Sequence, residues 1–139
     1  MRQGYELVDH TADVGLRLWA PTRSGVFEEA GKAIFSLICD PLTVEQTETV
    51  DVRVEADDRE LLLAAWVNEL IYRFETTRAL FADFELTELD DTHLVARVTG
   101  ERLDPARHAV CGGVKAATLH ELSLRESADG WEGFVILDV

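Results

Sequence analysis

A chain of 139 residues, 47% hydrophobic and with a formal net charge of −14, can bury one core and is too apolar for global disorder. That charge argues against a main role in binding nucleic acid or anionic membrane, which takes surplus Lys and Arg; it suits a metal ion, a basic protein surface, or simply solubility. No apolar run reaches bilayer length, residues 1–6 lack a signal peptide's apolar stretch, and Cys39 and Cys111 stand far apart, so a reduced, cytoplasmic protein with one domain over 1–139 is expected.

The first element is the run Asp9-His10-Thr11-Ala12-Asp13-Val14-Gly15, which sets two carboxylates and an imidazole between two short apolar segments. It reads as strand, turn, strand. The spacing of Val26, Ala30, Ala33, Ile34, Leu37 and Ile38 predicts a helix. Thr22 or Ser24 can cap it, Glu28 and Glu29 sit near its positive end, and Pro41 stops it after Asp40. Val50, Val52 and Val54 alternate with Asp51, Arg53 and Glu55 as in a half-buried strand. Leu63, Val67, Leu70, Ile71 and Phe74 mark a second helix, with Asp57 as cap and Glu60 completing a capping box. Leu61, Leu62 and Trp66 lie outside that stripe, so this helix is expected to be deeply packed. Phe81, Phe84, Leu86 and Leu89 suggest a strand, and Asp90-Asp91 a turn into a strand from His93 to Val98. Leu119, Leu122 and Leu124 precede a turn at Ser127-Ala128-Asp129-Gly130, and Trp131, Phe134, Ile136 and Val139 belong to a last strand. Strands flank each helix and then run consecutively. The fold class is α+β: a compact domain of two main helices packed on a largely antiparallel sheet.

Asp13 and Asp138 sit beside apolar neighbours, where an unpaired carboxylate is costly unless it meets a cation or the end of a sheet. Val139 adds its α-carboxylate beside Asp138. Three such groups together would hold a hard ion, Ca²⁺ or Mg²⁺, better than zinc. The other reading is a self-capping turn and a solvated terminal residue. Lys115 follows Gly112-Gly113 and is one of two lysines, with Lys32. It either answers the acidic cluster or a partner, or is an ordinary surface lysine. His10 and His120 could orient carboxylates, bind metal or satisfy local hydrogen bonds. His108 and Cys111 form H-x-x-C, but no second pair completes a zinc site. Neither cysteine has a nucleophile's company, and no phosphate-binding glycine motif occurs. Glu45, Glu48, Asp51, Glu55, Asp57 and Asp58 read as a solvated acidic face.

Four blocks in order resemble the archease family and cover nearly the whole chain. They are the run 9–15; Trp66-Val67-Asn68-Glu69-Leu70-Ile71-Tyr72-Arg73-Phe74-Glu75; Gly100-Glu101-Arg102-Leu103-Asp104-Pro105 leading into Lys115-Ala116-Ala117-Thr118-Leu119-His120; and Asp129-Gly130-Trp131-Glu132 through Leu137-Asp138-Val139. The resemblance implies a compact α+β fold and a non-catalytic accessory protein of the 3′-phosphate RNA-splicing ligase. Such a protein promotes the ligase's GTP-dependent guanylylation and its multiple turnover. It also implies a divalent metal, Ca²⁺, held by Asp13, Asp138 and Val139, and a functionally important Lys115. Asp9 and His10 would support the metal ligands. The partner is then the ligase, with no direct nucleic-acid binding and no membrane. Val139 stands where the family often has Ile, and Leu119 where an aromatic is common. Two other functions are kept: a stand-alone metal-dependent hydrolase with His10 as the nearest base, and a chaperone-like modulator of RNA-modifying enzymes.

Overall fold

The computed structural model describes residues 2–10 and 13–139, so Thr11 and Ala12 of the opening run lie outside it. In chain order the elements are β1 (Gly4–His10), β2 (Asp13–Ala20), α1 (Arg23–Ile38), a 3-10 turn (Pro41–Thr43), β3 (Glu48–Glu55), α2 (Arg59–Thr77), β4 (Ala79–Leu89), β5 (His93–Arg102), β6 (Ala116–Ser127) and β7 (Gly130–Asp138). The strands form two antiparallel sheets, one ordered β1-β2-β7-β6 and the other β3-β5-β4. The α+β expectation holds.

Helix α1 begins as its sequence suggests: Thr22 Oγ1 accepts from the Gly25 N–H at 3.1 Å. It ends at Ile38, earlier than Asp40, because Asp40 is used next. Its Oδ1 accepts from the Leu42 N–H at 3.0 Å and caps the 3-10 turn. Helix α2 is capped by Asp58, not Asp57; Asp58 Oδ1 accepts from the Leu61 N–H at 2.8 Å. Glu60 does not close a capping box, because its carboxylate accepts from the Leu124 N–H of β6 at 3.2 Å. The helix stops at Arg78 in the left-handed region, φ 60°.

Both helices lie between the sheets. Helix α1 touches β1, β2 and β7 on one side and β4 on the other; α2 touches β6 on one side and β3, β4 and β5 on the other. This explains the broad apolar faces, since each helix buries two sides. Trp66 is fully buried, donates from Nε1 to the Phe27 carbonyl at 2.8 Å and meets Phe84 edge-on at 6.4 Å. At Gly133 the helices press close to β7. A Cβ there would sit 3.1 Å from Val26 and 3.3 Å from Leu63.

Two features stand out at the rims. Leu119 lies in β6 as the pattern suggests but is 63% exposed. Strand β6 is irregular between Thr118 and Ser123, taking five steps while β7 takes two from Ile136 to Phe134. Val139 lies beyond the end of β7 and is exposed. The acidic residues of 45–58 are exposed as expected, with Asp58 also serving as the α2 cap.

Candidate functional site

Sheet β1-β2-β7-β6 is built from the first two and last two strands, so residues far apart in sequence become neighbours. His10 pairs with Asp13, Val14 with Leu137, and Ala116 with Asp138. Asp13 and Asp138 therefore stand one step beyond the Val14–Leu137 pair, opposite each other at the sheet's end. Leu16, Leu18, Val135 and Leu137 are buried against the helices. Strand alternation sends Asp13 and Asp138 to the other face. Asp13 is half-buried and Asp138 exposed. Directly opposed strand residues have Cβ atoms about 5 Å apart, and like charges so placed repel. The same ladder separates Asp9 from this pair: it is opposite Val14 and so takes the helix-side face. His10 shares the register position of Asp13, and its side chain lies outside what the structure describes.

Lys115 precedes β6 and is exposed; its N–H donates to the Asp138 carbonyl at 2.7 Å. Asn68 of α2 fastens the next stretch, its Oδ1 accepting from the Ala117 N–H at 2.8 Å. Neither Gly112 nor Gly113 takes a positive φ, so no sharp left-handed turn occurs there. The segment before Lys115 is tied elsewhere. Cys111 N–H donates to the Ile38 carbonyl at 2.9 Å, and Val110 bridges to Cys39.

A buried cluster anchors the start of this segment. His108 Nδ1 accepts from the Asp104 N–H at 2.8 Å, so Nε2 carries the proton and donates to Glu101 Oε2 at 3.1 Å. Glu101 also accepts from the Glu45 N–H at 2.6 Å and from the Arg107 guanidinium. The Glu45 N–H foremost, then Arg107, hold the Glu101 carboxyl down to about 2. The Arg107 guanidinium is raised in turn by Glu101. Both nitrogens of His108 are thus committed, and Cys111 is exposed with its thiol toward the Ala109 carbonyl at 3.7 Å. The H-x-x-C pair is structural, not a metal half-site. His120 Nε2 lies 3.8 Å from Glu121 Oε2.

Among the described residues no group of three or more His, Cys, Asp or Glu side chains is placed to hold a metal ion. The Asp13–Asp138 pair is a smaller set, completed only if main-chain oxygens of Val139 contribute. Its donors are all oxygen and share one face, the composition a hard cation takes, so the residues fit the ion the resemblance implies. Sequence reasoning missed Asn68, Glu101 and Thr118 as contributors here, though all three fall inside the quoted blocks. No helix of the described residues is long and apolar enough to cross a membrane.

Two antiparallel sheets enclosing two helices, with carboxylates from both chain ends on one sheet rim, define an archease-type domain. The model of the archease protein family matches residues 5–139, and the chain belongs to that family. It is 37% identical to a protein archease of Methanopyrus kandleri over 97% of this chain and 99% of the relative. It is 32% identical to that of Pyrococcus furiosus over the full length of both. The solution structure of Methanobacterium thermoautotrophicum protein 1598 superposes with a TM-score of 0.83 at 31% identity, covering 98% of this chain and 99% of that one. A Thermotoga maritima archease, described as a possible chaperone, shares the fold with a TM-score of 0.62 at 18% identity, covering 100% and 98%.

Proposed function

We propose that this archease is a non-catalytic, cytoplasmic activator of the 3′-phosphate RNA-splicing ligase, promoting its GTP-dependent guanylylation and multiple turnover. Asp13, Asp138 and the main-chain oxygens of Val139 hold a divalent cation, Ca²⁺, and Lys115 acts beside them on the partner. The observation that carries this reading is the antiparallel register that brings Asp13 beside Asp138, with Lys115 bonded to the Asp138 carbonyl. The bound cation supplies positive charge that offsets the repulsion of the two carboxylates and orders the rim. The chain's own part is to present that rim, with Lys115, to the ligase. A net charge of −14 suits a partner whose site collects GTP and RNA phosphates and is therefore cationic. RNA itself need not touch the archease.

The test is a guanylylation assay of the cognate ligase with GTP, with and without this chain. Asp13→Ala and Lys115→Ala, each shown to fold by circular dichroism, should fail to stimulate guanylylation. Wild-type stimulation by folded Asp13→Ala would refute the proposed site.

A further inference from the structure

Strand β6 places one more polar group on the rim. Thr118 pairs with Ile136, two residues before Asp138 on β7, and so shares the face that carries Asp13, Asp138 and Ala116. Ile136 is 1% exposed, and the Thr118 hydroxyl is buried with it. Among the described residues that hydroxyl has no hydrogen-bond partner. A buried hydroxyl lacking a partner is uncommon and costs stability. The site beside it contains two carboxylates that need a cation, and a cation arrives with water. Thr118 is the diagonal neighbour of Asp138 across β6 and β7, a separation of about 7 Å that one water molecule spans. The irregularity that begins immediately after Thr118, with Glu121 at φ 55°, interrupts the ladder, which resumes at Ser123.

We propose that the Thr118 hydroxyl hydrogen-bonds a water of a hydrated divalent cation held at Asp13 and Asp138, making Thr118 a positioning residue of the rim. This rests on the cation site proposed above. The hydroxyl is both donor and acceptor, so it can accept from the water or donate to it while the carboxylates contact the ion.

Isothermal titration calorimetry with Ca²⁺ and with Mg²⁺, on the full chain stripped of metal, tests this. Thr118→Val keeps the shape and removes the hydroxyl; it should weaken cation binding on the order of tenfold, the scale of lost outer-sphere partners. Thr118→Ser should bind within about twofold of wild type, because the hydroxyl remains. Thermal denaturation without metal should find Thr118→Val at least as stable as wild type, since it removes an unsatisfied group. Wild-type affinity in Thr118→Val, or its destabilisation in the metal-free state, would overturn the inference. Asp13→Ala separates the two claims. Lost binding there with intact binding in Thr118→Val sinks only the role of Thr118, whereas wild type or Asp13→Ala behaving contrary to the cation site sinks both.

Discussion

Asn68→Ala tests whether helix α2 sets the position of the rim. Asn68 is exposed, and its contact of note is the 2.8 Å hydrogen bond from the Ala117 N–H, two residues past Lys115. Two effects oppose each other in the folded state. Losing the hydrogen bond costs about 1 kcal/mol. Replacing Asn by Ala within a helix returns roughly 0.5 kcal/mol of propensity. The net destabilisation is then about 0.5 kcal/mol, a fall in Tm of about 2 °C for a chain of this size. Function should respond more strongly, because the Asn68–Ala117 bond ties α2 to the start of β6, two residues from Lys115. Activation of the ligase at sub-saturating archease should fall on the order of tenfold, the scale on which loosened positioning acts. Asn68→Asp keeps an acceptor oxygen and should restore most of the effect. Full activation by Asn68→Ala, or failure of Asn68→Asp to recover it, would refute a positioning role.

Gly15→Ala would set a Cβ 2.9 Å from Phe134 Cζ and 3.4 Å from the Val8 carbonyl, so urea denaturation should show a loss of about 1–3 kcal/mol; unchanged stability would mean that the Phe134 ring moves freely. Leu63→Ala empties a fully buried position between α2 and β7 and should cost about 2–5 kcal/mol by the same measurement. Glu101 contributes to the acid limb of stability. Its folded carboxyl lies at about 2, below the ordinary 4.5, so its stabilising contribution is present above 4.5 and is lost as pH falls toward 2. Glu101→Gln should therefore flatten the decline of Tm between those two values, and an unchanged pH profile would count against the Glu45–Glu101–Arg107 network.

Periodicity found the helices and strands because each buries a face that repeats at a fixed interval, but it carries no information on which strands pair. The link between Val14 and Leu137 spans nearly the whole chain, and local pattern has nothing to say about it. Carboxylates set among apolar residues made Asp13 and Asp138 candidates, and the family-like blocks strengthened the case for joining the two segments. The caps show the limit of local rules. Asp57 and Asp58 are both capping residue types; Asp58 is the one that caps, and Glu60 is engaged by the Leu124 N–H of β6 instead. The H-x-x-C pair, which has no second pair to complete a zinc site, uses its histidine locally, since the partners of His108 are Asp104 and Glu101.

One part of the sheet was legible and passed over. Side chains in a regular strand alternate, so core-facing residues are an even number of positions apart. Among the apolar residues named for the strands five intervals are odd: Phe81 to Phe84, Leu86 to Leu89, Leu119 to Leu122, Trp131 to Phe134 and Ile136 to Val139. The sheets are irregular in three of them, between Phe81 and Asp83, between Leu86 and Glu88, and between Thr118 and Ser123; Trp131 to Phe134 stays in regular register with β2, and Val139 lies past the end of β7. In β4 the added residue restores the core face, so Phe81 and Phe84 are both buried and Leu86 and Leu89 both pack on the core. In β6 the mismatch is three residues, too many for one bulge, and Leu119 is thrown outward instead. The same break leaves Thr118, diagonal to Asp138, as the last residue before the interruption, and the ladder resumes at Ser123. An odd interval within a strand pattern thus allows three outcomes, a bulge that restores the core face, a residue thrown outward, or a side chain on the far face of a regular strand, and the pairing partner decides among them.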